Sequence, residues 1–141
     1  MAGSASSDLA DEIHRLIVAL ATRTKLHEDA SMEAFELSRM EAKALYRLEP
    51  GEAVSVRTLA ERGLVDPSNL TAAVDSLESR GLIRREAAKH DRRVRTLSLT
   101  AAGERLRARM VERLLDGHPG VAGLSRAEQT KLRDLLRRAL G

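Results

Sequence analysis

The sequence predicts a mainly α-helical protein in which a small β-hairpin interrupts the run of helices. Apolar residues recur at spacings of three and four along several segments, and capping residues precede most of these segments. One stretch instead alternates apolar and polar residues, as a half-buried strand does. With 141 residues, 43% of them hydrophobic and 32% charged, the chain can bury a core of its own.

The first helix is predicted from Asp8 to His27, with Asp8 as its N-cap, after a tail over residues 1–7 that we expect to be disordered. A second helix is predicted to follow Ser38, because Ser38 and Glu41 have the spacing of a capping box. The last helix of the chain has the same signature, a capping box that begins at Ser125.

The centre of the chain predicts two short helices joined by a tight turn. Ser55 can cap the first of them, and Gly63 is placed to end it. Asp66 and Pro67 are a typical N-cap and first residue for the second helix, and Gly81 is a typical residue just beyond its C-terminus.

A basic β-hairpin is predicted directly after these two helices. The extended runs are 82–86 and 94–99, and Thr100 can then cap a further helix. From Arg84 to Arg95 the hairpin carries six basic residues and two acidic ones, a concentration of charge that attracts phosphate. A solvated charged surface is the other reading of such a run.

Several classes of function are disfavoured by composition. The chain has no cysteine, which excludes disulfides, thiolate metal sites and thiol-based sensing. A single Phe and a single Tyr leave no stacking platform for single-stranded nucleic acid. The four histidines lack paired ligand spacing, and no nucleophile or phosphate-loop motif occurs, so we expect no enzyme, no metal and no cofactor. Without a signal peptide or membrane span, a cytoplasmic protein is expected.

Two short helices followed by a basic hairpin form the pattern of a winged helix-turn-helix. The recognition helix would cover about 67–80 and the wing about 83–99. In this arrangement the start of the recognition helix enters the major groove of double-stranded DNA, where amide, hydroxyl and small apolar side chains read base edges. The predicted contacts there are Ser68, Asn69, Thr71 and Ala72. Ser and Asn at a helix start can also serve only as caps.

The motifs in this region resemble one family. They are Ser55-x-x-x-Leu59-Ala60-Glu61-Arg62, Asp66-Pro67-Ser68-Asn69-Leu70-Thr71, Val74-Asp75-x-Leu77-Glu78, Arg80-Gly81-Leu82-Ile83-x-Arg85, His90-Asp91-Arg92-Arg93 and Leu97-Ser98-Leu99-Thr100-Ala101-Ala102-Gly103. In this order and spacing the chain resembles the MarR (multiple antibiotic resistance) transcriptional regulators.

The resemblance implies a homodimer that binds a palindromic operator. A winged domain over 38–100 would read DNA, and residues 8–37 and 101–141 would form a helical dimerisation region. The apolar positions assigned to the dimer contact are Leu9, Ile13, Leu16, Leu20, Leu132, Leu135 and Leu136. The same leucines could instead pack in a monomeric bundle.

The resemblance also implies roles for the wing. Arg93 would enter the minor groove, and Asp91 would orient its guanidinium. Many relatives have arginine where this chain has Ala72, so base reading would depend more on Asn69, Thr71 and the wing. The candidate phosphate contacts are Arg57, Lys89, Arg92 and Arg95.

The expected function is that of a transcriptional repressor that a small-molecule ligand releases from DNA. Relatives commonly bind such ligands, but the sequence favours no particular one, and with Phe35 and Tyr46 as the only aromatic residues a ring-lined pocket is not expected. The alternative is a winged module whose basic hairpin binds an acidic protein partner.

Overall fold

Six helices and three short strands make up the computed structural model, which describes residues 2–63 and 65–141. In chain order they are α1 (Ala2–Glu33), α2 (Arg39–Arg47), β1 (Val54–Ser55), α3 (Val56–Gly63), α4 (Pro67–Ser79), β2 (Ile83–Ala87), β3 (Arg95–Leu99), α5 (Ala101–Leu115) and α6 (Arg126–Leu140). The predicted fold class, helices with one small hairpin, is confirmed.

The chain divides into two compact units. The first, which we call the winged unit, is Asp29–Arg113. The second, the helical unit, joins the residues up to Glu28 to Leu114–Gly141. The winged unit has a leucine-rich core drawn from α2, α3, α4, the sheet and α5. Its largest fully buried side chains are Leu45, Leu48, Leu59, Leu70, Val74, Leu77, Ile83, Leu97 and Met110.

The sheet is antiparallel and has the strand order β1-β3-β2. β3 pairs with β2 from Ile83↔Leu99 to Ala87↔Arg95, and β1 pairs with β3 at Val54↔Leu97. The sequence predicted the hairpin and a short extended piece before α3. It did not predict that this piece becomes a third strand, β1, by pairing with β3. Strand pairing across about forty residues has no local signal.

The helical unit has no comparable core. None of its described side chains is fully buried, and α6 has no buried residue at all. One polar contact within it joins distant parts of the chain: Nε2 of His27 lies 3.0 Å from the carbonyl oxygen of Leu114. The His27 ring also lies edge-on to that of His118, with 5.7 Å between centroids.

The first helix is longer than predicted. It begins at Ala2 instead of Asp8 and ends at Glu33 instead of His27, so Asp8 lies inside it and is not a cap. Residues 2–7 are therefore helical where a disordered tail was predicted, and Met1 lies outside the described residues. Glycine and serine disfavour a helix by less than about 1 kcal/mol each, and no proline stops this one.

The remaining caps agree with the sequence. Ser38 with Glu41 and Ser125 with Glu128 form complete capping boxes, and Asp66 caps α4 with Pro67 in its first turn. These signals involve neighbours within three residues, which is why they can be read without the tertiary structure.

Gly103 permits a close contact between α5 and the segment that connects α4 to β2. A Cβ built on Gly103 would lie 1.9 Å from the carbonyl oxygen of Leu82, far inside van der Waals distance. The same carbonyl accepts the N–H of Thr100 at 3.1 Å, so the beginning of α5 is bound to the backbone that enters β2. Only glycine fits at this position.

We expect Gly103→Ala to destabilise the protein by more than about 2 kcal/mol, because backbone atoms must move to admit the methyl group. Gly123→Ala is the matched control, since nothing lies within 4 Å of its added Cβ. Denaturant unfolding of both variants measures the difference. Equal midpoints for the two variants would contradict the close contact.

Candidate nucleic-acid interface

The N-terminus of α4 is fixed by its own cap. Oδ1 of Asp66 accepts the backbone N–H of Ser68 at 2.9 Å and the Ser68 hydroxyl at 2.6 Å. Both hydrogen bonds from Ser68 hold the pKa of the Asp66 carboxyl below its usual range, and the bond from the hydroxyl has the larger effect. The carboxylate therefore stays charged at the positive end of the helix, where an anion is favoured.

The C-terminus of α4 ends in a Schellman motif. Gly81, at φ 70°, donates its N–H to the carbonyl of Glu78, and Leu82 donates to the carbonyl of Leu77, both at 2.9 Å. With both ends capped, the limits of α4 are set by its own sequence.

One face of α4 packs into the core and the other is open. The buried positions, Leu70, Ala73, Val74 and Leu77, recur with helical spacing. The four positions predicted to contact DNA, Ser68, Asn69, Thr71 and Ala72, are all exposed on the opposite face.

The three polar side chains on that open face differ in whether they already form hydrogen bonds within the protein. The Ser68 hydroxyl donates to Asp66, and the Thr71 hydroxyl donates weakly to the carbonyl of Pro67 at 3.4 Å. Within residues 2–63 and 65–141, no hydrogen bond involves the Asn69 side-chain amide. Asn69 therefore has both a donor and an acceptor ready for an external group.

A buried carboxylate holds α4 against α2. Glu41 accepts the N–H of Ser38 at 2.7 Å and the hydroxyl of Ser76, and its Oε2 lies 3.8 Å from Nη1 of Arg80. Burial raises the pKa of Glu41, but the bonds from Ser76 and Ser38 and the charge of Arg80 outweigh it and leave that pKa lowered. Glu41 is thus an ionised link between the two helices.

The wing is the hairpin formed by β2 and β3, and its tip is closed by backbone hydrogen bonds. Ala88 donates to the carbonyl of Val94 at 2.8 Å, and Val94 donates to the carbonyl of Asp91 at 3.0 Å. The Asp91 carboxylate accepts the backbone N–H of Arg93 at 2.9 Å. The Asp91 carboxylate is thus bound to the main chain of its own turn, and its role in orienting the Arg93 guanidinium stays a prediction.

The basic side chains of the wing fall into two groups. Arg84 contacts Ser98 and Glu86, and Arg85 contacts Asp75 and Glu78, so these two belong to the folded framework. The other four are exposed and have no carboxylate partner in the described part of the chain: Lys89, Arg92, Arg93 and Arg95. Arg57, on α3, pairs with Glu61 at 3.1 Å but stays 85% exposed.

Sequence and structural comparisons agree on the relatives of this winged unit. A sequence model of the MarR family matches residues 35–94. A MarR-family regulator from Silicibacter pomeroyi is 26% identical, with a TM-score of 0.75 over 89% of this chain and 85% of that one. The winged unit is thus similar in sequence and in fold to the MarR family.

Other MarR structures extend the similarity over most of the chain. CouR from Rhodococcus jostii RHA1 is 27% identical, with a TM-score of 0.77 over 92% of both chains. MarR from E. coli, at 21% identity, shares the fold, with a TM-score of 0.75 over 91% of this chain and 96% of that one. No curated protein matches the chain significantly in sequence.

The MarR fold of this chain offers neither a membrane-spanning segment nor a clustered metal site in its described residues. No helix there is long and apolar enough to cross a bilayer. No group of three or more His, Asp or Glu side chains converges there as metal ligands would. His27 and His118 do meet, although the sequence separates them widely.

The predicted site residues lie on two elements of the winged unit, the start of α4 and the wing, with Arg57 on α3. Their contacts with DNA stay predictions. Sequence reasoning missed the contact between Glu41 and Arg80, which links α2 to the C-terminal end of α4. A capping box does place Glu41 at a helix start, but its second partner, Ser76, is 35 residues away and has no sequence signal.

We expect Glu41→Gln to lower the free energy of unfolding at pH 7 by about 1–3 kcal/mol, because an ionised hydrogen-bond acceptor is lost. The folded pKa of Glu41 is lowered from 4.5, so its contribution is present above that pH and disappears as the pH falls through the folded pKa. The gap in the free energy of unfolding between variant and wild type should therefore narrow as the pH falls.

Urea unfolding from pH 7 to pH 3 measures this gap. Glu112→Gln, an exposed position on α5, is the control and should leave stability unchanged within about 0.5 kcal/mol. A gap for Glu41→Gln that stays constant over the whole pH range would show that the carboxylate charge makes no contribution.

Proposed function

We propose that this chain is a MarR-family transcriptional regulator, a sequence-specific dimer that binds a palindromic site in double-stranded DNA. The observation that carries this function is the presence on one winged unit of two complementary surfaces. One is the open face of α4 with the unengaged Asn69 amide, and the other is the wing with its four unpaired cations. The first suits base edges and the second suits phosphates.

In this function α4 lies in the major groove. Asn69 pairs with adenine through its amide, and the exposed Ala72 leaves room for close approach and for contact with a thymine methyl group. Ser68 and Thr71 make secondary contacts, since their hydroxyls are partly engaged within the helix.

The wing supplies charge. Arg93 enters the minor groove, where a narrow A·T stretch attracts guanidinium, and Lys89, Arg92, Arg95 and Arg57 contact phosphates. Asp91 supports Arg93 indirectly, because its bond to the Arg93 N–H sets the turn from which that side chain extends.

Dimerisation is supported by the apolar surface of the helical unit. Leu9, Leu16 and Leu135 are each about 60% exposed in the single chain, at 58%, 62% and 61%. Ile13 and Leu136 are also exposed, and Leu20 and Leu132 are half-buried. These exposures disfavour a self-contained monomeric bundle. A second copy that covered this surface would gain about 1.5–3 kcal/mol for each large side chain it fully buried.

Release by a small molecule completes the function as a repressor. The related CouR structure contains p-coumaroyl-CoA, so a relative at 27% identity accommodates an organic ligand on this fold. Binding at a promoter would exclude the transcription machinery, and ligand binding would end that exclusion. Because its target is chromosomal DNA, the protein would act in the cytoplasm.

We expect Asn69→Ala and Lys89→Ala to weaken DNA binding in different ways. Asn69→Ala should lower affinity for the operator by about 1–3 kcal/mol and leave binding to random duplex almost unchanged, because only base edges are read by an amide. Lys89→Ala should lower both affinities alike and make the salt dependence shallower by about one unit of slope. Fluorescence anisotropy between about 0.05 and 0.2 M salt measures both, on an operator selected from random duplexes.

Arg84→Ala is the matched control for the wing, since Ser98 and Glu86 already engage its guanidinium. It should change the salt slope less than Lys89→Ala does. If no duplex is selected and the wild type binds random DNA with a flat salt dependence, the wing serves an acidic protein partner instead.

We expect Leu16→Glu to raise the dimer dissociation constant by at least about a hundredfold, because it places a charge within the buried contact. Val94→Glu applies the same chemistry to an exposed apolar residue of the winged unit and should leave the dimer intact. Sedimentation velocity at micromolar concentration separates the two. A wild-type chain that sediments as a monomer would refute the dimer.

A further inference from the structure

Two helices of the helical unit each carry an apolar stripe that the single chain leaves largely uncovered. The two stripes consist of Leu9, Ile13 and Leu16 on α1 and of Leu132, Leu135 and Leu136 on α6. Leu132 is half-buried and the other five are exposed. Because each set recurs at spacings of three and four, it runs along one side of its helix.

A pair of acidic residues borders the stripe of α1. Asp8 and Glu12 lie four residues apart, and each directly precedes a residue of the stripe. Both are exposed, and neither forms an ion pair within residues 2–63 and 65–141. Asp11 lies on the opposite side of the helix by its spacing, and it pairs with Arg15. Over residues 8–15, the unpaired acidic charge is therefore the charge beside the stripe.

The stripe of α6 is bordered by basic residues in the same way. Arg133 and Arg137 lie four residues apart, and each directly follows a residue of the stripe. Both are exposed, and Arg137 forms no ion pair in the described part of the chain. Arg133 contacts only the adjacent Asp134. Because α6 holds five basic residues and two acidic ones, its excess of positive charge is not balanced within the helix.

Each of these pairs is unfavourable in a helix by itself. Residues four apart are neighbours on a helix surface, and like charges at this spacing destabilise the helix. No ion pair joins α1 to α6 within the described residues of one chain. Where helices pack through apolar stripes, the charges that border the stripes select the partner and its orientation.

We propose that α1 of one copy packs along α6 of a second copy, with Asp8 and Glu12 beside Arg133 and Arg137 of that second copy. The inference rests on the proposed function, in which the chain is a dimer, and it names the charges that select the pairing. Pairing of α1 with α1 would bring four carboxylates together, and pairing of α6 with α6 would bring four guanidinium groups together. The mixed pairing joins opposite charges, and a two-fold dimer contains it twice.

The test reverses the charges of one helix at a time in the full-length protein. Asp8→Lys/Glu12→Lys and Arg133→Glu/Arg137→Glu should each raise the dimer dissociation constant by at least about tenfold, because both contacts of each variant dimer become repulsive. An equimolar mixture of the two variants should form a heterodimer about as tight as the wild-type dimer, since every contact then joins opposite charges. Sedimentation velocity with a fluorescent label on one variant measures both.

Two further variants serve as controls. Asp11→Lys makes the same charge change as Glu12→Lys on the opposite side of α1, and it should alter the dissociation constant by less than about twofold. A chain that carries all four reversals should dimerise like the wild type, which shows that the reversed residues still permit folding.

The outcomes separate this pairing from the proposed function. If the chain with four reversals dimerises but the mixture does not, the charges pair within one chain and the proposal is overturned. If neither dimerises, or if both double variants dimerise as tightly as the wild type, the proposal is also overturned. In each of these cases a wild-type dimer leaves the proposed function intact. A wild-type monomer would refute the dimer itself.

Discussion

The close contact between Gly103 and the Leu82 carbonyl determines how the wing leaves the recognition helix. Around it, the Thr100 hydroxyl donates to the carbonyl of Gly81 at 2.6 Å and accepts the N–H of Gly103 at 3.0 Å. The end of α4, both ends of the wing and the start of α5 therefore meet at one point. Each of these contacts involves a backbone group on at least one side, so side-chain changes elsewhere cannot easily replace them.

The charged residues of the winged unit divide by role. Where a cation supports the fold it has a carboxylate partner, as Arg62 has in Glu52 and Arg85 has in Asp75. On the wing and on α5, cations such as Lys89 and Arg105 lie without such partners in the described residues. Since exposed pairs contribute little to stability, the lack of a partner costs the fold little and leaves positive charge for external anions.

The two units differ in how much of their apolar surface they bury. The winged unit buries its own leucines, as Leu45 and Leu77 illustrate, and its candidate binding surfaces lie on a packed framework. The helical unit leaves Leu16 and Leu135 largely in water. A helix gains most of its stability from the packing of its apolar face, so within the single chain these terminal helices are less stabilised by packing than the helices of the winged unit.

Local signals determined most of the fold. The capping box at Ser38, the Asp66 cap and the glycine at position 81 each act through neighbours a few residues away, and the structure has all three where the sequence predicted them. The exposed face of α4 also follows from its apolar spacing alone. By contrast, the start of α1 was predicted too late, because serine and glycine near a helix end are weak signals that a continuing helix can override.

Tertiary structure alone decided the contacts between residues distant in sequence. The pairing of β1 with β3 and the bond from Ser76 to Glu41 have no periodicity or spacing to reveal them. The hydrogen bond from the Arg93 N–H to the Asp91 carboxylate also follows only from the folded chain, because whether a carboxylate meets a guanidinium or a backbone N–H depends on the shape of the turn. The sequence of this protein thus determined where its helices and wing would form. Packing decided which charges became paired, because pairing depends on distances that only the folded chain defines.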